Sequence, residues 1–151
     1  MAQSLSMVYI HIIFHVKNTS VRIKEEDLNR VHAYIAGLIK QKNDYSFWVD
    51  GVEDHVHVLC SLSRNETIAD LVGYLKRESC KGIKRMALYY SHFEWQAGYG
   101  VFSVSKSQIG IVKNYLKNQR EHHKNVTFHD EYIRFLDLHG ITYDESYVLE
   151  D

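Results

Sequence analysis

The chain of 151 residues contains no proline and only two cysteines. Without proline, one ordinary marker of linkers and helix breaks is missing, so element ends must be read from other turn-forming residues. Cys60 and Cys80 are too few for a disulfide framework and lack zinc-binding spacing, which points to a reducing, cytoplasmic setting. Long hydrophobic runs are absent as well. The one apolar stretch near the start, Val8 to Val16, is interrupted by His11 and His15, so neither a signal peptide nor a membrane span is expected. There is no repeat and no low-complexity tract. A Gly-rich loop ending in Lys-Ser/Thr is also missing, so no nucleotide cofactor is expected.

What is present suits one globular domain over residues 1–151. The length suffices to bury a core, and 45% hydrophobic content is ordinary for such a fold. A formal net charge of −1 conceals an asymmetry. Residues 127–151 hold seven acidic residues (Asp130, Glu131, Asp137, Asp144, Glu145, Glu150, Asp151) against Arg134 alone. The first 126 residues carry 17 basic and 12 acidic side chains, compatible with an anionic partner but not demanding one.

Hydrophobic periodicity gives the order strand, helix, strand, strand, helix, strand, helix, tail. Residues 7–17 alternate cleanly, with Val8, Ile10, Ile12, Phe14 and Val16 on one face and His11 and His15 on the other. A helix over 24–41 follows, its buried stripe built from Leu28, Val31, Ile35, Leu38 and Ile39. Residues 45–52 form a short strand, and Asp50 and Gly51 suggest a tight connection or bulge before a strand at 54–62. Thr67 caps a helix running to about 88, a fourth strand covers 99–104, and Ser105 or Ser107 caps a helix carrying Tyr115. Residues 129–139 make a last helix, docking through Tyr132, Phe135 and Leu136. The order βαββαβ is that of an α+β ferredoxin-like sandwich, with helices on one face of an antiparallel sheet.

The chemistry concentrates at Asp54-His55-Val56-His57-Val58-Leu59. Strand side chains alternate, so His55 and His57 share one face while Val56, Val58, Cys60 and Leu62 line the other. That is half of a metal site. His11 and His15 would share the same open face, which needs a covering helix, and the Tyr115 helix is the candidate. Tyr115 and Gln119 stand four apart, on one side of that helix.

Taken singly, each feature has a blander reading. A histidine pair on a strand is more often hydrogen-bonded than metal-binding. Tyr115 alone is a packing residue beside Val112 and Leu116. His122, His123 and His129 could be ligands but read more readily as a polar helix end. Tyr89, Tyr90, Phe93 and Trp95 anchor a loop more readily than they stack bases.

In combination, the His55-Val56-His57 motif and the later Tyr115 and Gln119 resemble the HUH motif and catalytic tyrosine of the IS200-like single-tyrosine transposases. Residues 9–14 resemble that family's first strand, 93–106 its fourth-strand region and 118–123 the end of its tyrosine helix. His15 departs from the small polar residue expected there. The resemblance implies that His55, His57 and Gln119 hold Mg²⁺ or Mn²⁺ and that Tyr115 is the nucleophile, forming a 5′-phosphotyrosine with single-stranded DNA. It also implies hairpins at element ends as substrate and a homodimer in which Tyr115 of one subunit can complete the His55/His57 site of the other. Candidate phosphate contacts are Lys76, Arg77, Lys81, Lys84, Arg85, Lys106, Lys113, Lys117 and Arg120, although charged helix faces are commonly just solvated. Three other classes compete. One is a related housekeeping endonuclease acting on repeated hairpins. Another is a non-catalytic ferredoxin-like nucleic-acid-binding module, which would want exposed aromatics on the central strands. The third is a zinc hydrolase using His55, His57 and a third histidine.

Overall fold

Strict alternation in the first strand gives the molecule a sheet with two buried faces. The computed structural model describes residues 2–42, 44–123 and 126–148, with Ser46, Phe47 and His122 described by backbone alone. Glu150 and Asp151 of the acidic segment lie outside the described residues. Strand β1 (Val8–His15) is central, paired to β3 (His55–Leu62) on one side and β4 (Gly100–Val104) on the other. Strand β2 (Ser46–Val52) flanks β3, so the order is β2-β3-β1-β4 with every pair antiparallel. This is the expected ferredoxin-like sheet.

On one face, Ile10, Ile12, Phe14, Val56, Val58 and Cys60 pack against helices α1 (Leu28–Gln41) and α2 (Ile68–Lys84). Tyr90, Phe93 and Trp95 complete that core. Thr67 caps α2, its hydroxyl accepting from the Asp70 amide at 3.0 Å. The helix stops at Lys84 rather than near 88, and Leu88–Tyr90 forms a separate 3-10 turn that buries Tyr90.

The opposite face is covered too, but not as the sequence suggested. The cover is helix α5 (Phe128–Leu138), whose Phe128, Tyr132 and Leu136 pack on Ile13 and Phe102. The Tyr115 helix, α3 (Ile109–Lys117), runs instead along β2 and β3. The reason lies in the side chains. Phe128, Tyr132 and Leu136 recur every four residues as a stripe of large apolar groups, whereas α3 buries only Leu116 fully and leaves Ile111 exposed. Gly100 permits the close seat of α5: a Cβ there would come within 2.6 Å of the Tyr132 ring.

Three local details also differ. Asp50 and Gly51 lie inside β2, opposite His57 and Val56, and the connection to β3 is the turn at Glu53 and Asp54. The pairing irregularity of β2 falls between Ser46 and Trp48. Neither Ser105 nor Ser107 caps α3. A 3-10 turn (Lys106–Gln108) precedes it, and the two hydroxyls meet each other at 3.1 Å. Among the described residues, no helix is long and apolar enough to cross a membrane.

Candidate metal and tyrosine centre

Strand alternation projects His55 and His57 from β3 away from α1 and α2, opposite His15 and Ile13 of β1. Both imidazoles are fully buried beneath α5. Each has its Nδ1 engaged from behind. His55 Nδ1 lies 2.7 Å from Asp54 Oδ1, and His57 Nδ1 lies 2.8 Å from His11 Nε2. Asp54 also faces His15, whose Nε2 stands 3.6 Å from its other oxygen. A partner on Nδ1 fixes ring orientation and tautomer, which is how metal-binding histidines are usually held. The Nε2 atoms are left facing the space under α5.

Glu131, from the first turn of α5, fills that space. Its Oε1 is 2.9 Å from His57 Nε2 and 3.6 Å from His55 Nε2. Its Oε2 accepts from the Tyr115 hydroxyl and, at 3.4 Å, from Gln119 Nε2, with His123 Nε2 at 3.3 Å. Gln119 Oε1 lies 3.4 Å from His55 Nε2. The structure thus brings together His55, His57, Tyr115 and Gln119. The expected single helix face is interrupted, however. α3 ends at Lys117, Asn118 leaves helical geometry (φ −97°, ψ 15°), and Gln119 opens a short helix α4 (Gln119–His122). The break is slight enough for both side chains to reach the same carboxylate.

Electrostatics reinforce this hub. Burial opposes ionisation of Glu131, but the surrounding His123, His55 and His57 outweigh it and hold the carboxyl well below the usual carboxylate range. Asp54 shows the same balance, with His15 and His55 overcoming burial. Burial lowers His55, yet Asp54 and Glu131 more than restore it and leave its pKa raised. For His57 and His11 burial prevails and the pKa falls. Burial, then Glu131, pushes the Tyr115 phenol well above its ordinary value. Phe128 lies against His55 with ring centroids 4.4 Å apart, and Phe135 lies edge-on to Tyr115 at 6.0 Å.

The donor set suits a divalent cation. Ligand-capable atoms of His55, His57, His123 and Glu131 all lie within 4.8 Å of one another. With metal bonds of about 2.0–2.2 Å, neighbouring ligand atoms on one ion stand about 3–3.5 Å apart, close to the spacings found here.

Sequence reasoning passed over Glu131, and it weighed His123 as a ligand but preferred a polar helix end. A signal for Glu131 existed, since it stands in the stripe of Phe128, Tyr132 and Phe135, where a carboxylate is out of place.

The basic residues divide between two layers. Arg77, Lys81, Lys84 and Arg85 are exposed on or just past α2, across the sheet from the histidines, and Arg77 and Lys81 pair with Glu78. Lys76 is directed inward. Its Nζ donates to the carbonyls of Gln96, Ala97 and Gly98 at 2.7, 3.1 and 2.6 Å, and burial brings its pKa down to about 8. It anchors the loop before β4. Lys106 is exposed ahead of α3. Lys113 and Lys117 cover the Trp48 ring at 5.1 and 4.8 Å. Arg120 and Arg22 line a cleft of about 530 Å³ beside His123 and Phe128, together with Glu25, Glu53 and Asp54.

The profile of the family described as transposase, IS200-like, matches residues 4–119. The chain belongs to this family. Two solved structures share its fold. One is a Deinococcus radiodurans R1 protein assigned as a transposase, with TM-score 0.59 and 19% identity over 79% of this chain and 98% of that one. The other is a REP-associated tyrosine transposase bound to a REP hairpin, with TM-score 0.58 and 11% identity over 100% of this chain and 94% of that one. No curated protein matches the sequence. Membership of the IS200-like transposases implies nuclease and strand-transfer activity on DNA. His123 and Glu131 lie beyond the matched segment.

Proposed function

We propose that this protein cuts and rejoins single-stranded DNA beside hairpins through a covalent bond to Tyr115. The observation that carries the reading is convergence. A tyrosine hydroxyl, two back-braced imidazoles and a glutamine amide, drawn from β3, α3 and α4, meet around one buried point.

In this reading the Tyr115 oxygen attacks phosphorus in line. The P–O3′ bond breaks, the 5′-phosphoryl group stays on tyrosine, and the departing 3′ oxygen gains a proton to become a free hydroxyl. The phosphotyrosine keeps the ester bond energy, so attack by a 3′-hydroxyl can reseal a strand without ATP. His55 and His57 would hold Mn²⁺ or Mg²⁺ through Nε2, with an oxygen of Gln119 or Glu131 beside them. Such a cation supplies charge neutralisation at the scissile phosphate. Tyr115 needs release before it can react, because its hydroxyl now donates to Glu131 and burial, then Glu131, raises its pKa.

Several features support the substrate class. The fold is shared with a tyrosine transposase solved bound to a REP hairpin. The Arg22/Arg120 cleft borders the site, and its two guanidiniums offer phosphate contacts beside the acidic Glu25, Glu53 and Asp54. An apolar hollow of about 250 Å³, lined by Ile111, Val112, Tyr115, Arg134, Phe135 and Leu138, suits an unpaired base. The binding-module alternative finds less support, since α5 covers the sheet face on which bases would stack.

The test is incubation with hairpin-flanked single-stranded DNA and Mn²⁺, followed by denaturing electrophoresis. A DNA-shifted protein band is the expected result. Cleavage without any covalent species would favour a second reading, a metal hydrolase, which three imidazoles and a carboxylate would also suit. Binding should weaken with salt at a log–log slope of about −0.7 per phosphate neutralised. Arg120→Ala should flatten that slope by about one contact, whereas a slope unchanged by the substitution would remove Arg120 from the interface.

A further inference from the structure

Glu131 is a buried anion supplied by a helix outside the matched family segment, and it touches every chemically active group of the site. Resting on the metal-dependent reading above, we propose that Glu131, not Gln119, is the third metal ligand beside His55 and His57, and that seating of α5 and cation binding are therefore one coupled event. His123 is close enough to add a fourth donor.

Four observations carry this. The first is position. Glu131 Oε1 approaches both strand imidazoles, at 2.9 and 3.6 Å, while Gln119 Oε1 stands 3.4 Å from His55. The second is charge. A carboxylate offers a divalent cation a net negative charge shared over its two oxygens, whereas an amide carbonyl offers only a dipole. The third is the role left to Gln119. Its Nε2 points at Glu131 Oε2, the arrangement of a residue that orients a ligand. The fourth is compensation. A carboxylate that is 1% exposed needs positive charge close by, and one cation would serve it and the three imidazoles together. Nitrogen-rich ligation with one carboxylate favours a first-row transition ion such as Mn²⁺ over Mg²⁺.

Coupling follows from chain geometry. Glu131 sits in the first turn of α5, between Phe128 and Tyr132, which pack on the sheet. A cation held by Glu131 therefore ties α5 to β3. It would also draw the carboxylate's charge away from the Tyr115 hydroxyl and so loosen Glu131's hold on the nucleophile's proton.

Mn²⁺ binding, followed by the electron paramagnetic resonance signal of the free ion, tests the assignment without reference to cleavage. Glu131→Gln should weaken Mn²⁺ binding about tenfold or more, and Gln119→Ala by less than about threefold. His129→Ala, exposed on the same helix, should leave it unchanged. The opposite order, with Gln119→Ala the damaging change and Glu131→Gln near wild type, would overturn the proposal and leave the metal-dependent reading intact. If His57→Ala binds Mn²⁺ like the wild type, that reading itself fails. Hydrogen exchange on the unaltered protein needs no variant to fold. Saturating Mn²⁺ should slow amide exchange across 128–138, and unchanged exchange there would overturn the coupling.

Discussion

Tyr115→Phe should abolish the covalent DNA adduct and reduce strand cleavage by on the order of 10⁴-fold or more, since it deletes the oxygen proposed above as the nucleophile. The aromatic ring and its edge contact with Phe135 remain, so packing is preserved. One hydrogen bond to a charged group is lost, a cost of about 1.5–3 kcal/mol before relaxation, and Glu131 keeps His57 and Gln119 as partners. The variant should therefore fold and bind DNA. Mass spectrometry of the wild-type adduct gives the companion result, a DNA-linked peptide containing Tyr115. An adduct on Tyr132, or full cleavage by the Phe variant, would sink the assignment. Mixing Tyr115→Phe with His57→Ala tests whether a second copy of the chain can supply the tyrosine. In this chain Tyr115 reaches the site built by its own β3, so the mixture should regain no cleavage. Recovered activity would show that the tyrosine crosses between subunits.

His57→Ala, or EDTA treatment of the wild type, should give the second large loss. His57 supplies an Nε2 at the centre of the donor set and is braced by His11 behind it. Its removal deletes a candidate ligand and strips Glu131 of its shortest imidazole contact. Cleavage should fall below detection in both cases, and Mn²⁺ should restore it only to the EDTA-treated wild type. Thermal melts provide an independent readout. At about 100 times its dissociation constant, Mn²⁺ should stabilise the wild type by about 2.7 kcal/mol and leave His57→Ala unmoved. Exposed His92, changed to Ala, serves as control. Activity that survives exhaustive chelation would exclude the cation from the chemistry.

Both experiments target residues that were visible before any coordinates, and the reason is periodicity. Alternation along β1 and β3 separates a core face from a histidine face, so the pairing of His55 with His57 and their distance from α1 and α2 follow from the pattern. Tyr115 and Gln119 were legible from their spacing, although the break at Asn118 was not. Such a small departure at one residue leaves no compositional mark. Glu131 escaped for a different reason. It stands in the first turn of a Thr127-capped helix, where acidic residues are ordinary complements to the helix dipole. Its partners lie up to 76 positions away in the chain, on a strand whose own pattern says nothing of α5. The true cover of the histidine face was missed because the Tyr115 helix looked amphipathic enough, although the stripe of Phe128, Tyr132 and Leu136 already set α5 apart from α3.

The pairing irregularity in β2 bears on how this chain tolerates changes in length. A strand is two interleaved sequences, one for each layer, and losing a single residue exchanges them from that point onward. Deletion of Val56 would make the two imidazoles neighbours, one facing Glu131 and one driven among Ile12, Phe14 and Leu75. β3 pairs with β1 in unbroken register from His55 to Leu62 and has no slack to absorb such a slip. β2 already contains its irregularity between Ser46 and Trp48, at the far end from the Glu53–Asp54 turn. An inserted or deleted residue there would alter how the strand begins, while Asp50, Gly51 and Val52 could keep their partners. Natural length variants of this chain are therefore expected to gather at the start of β2 and to spare β1 and β3.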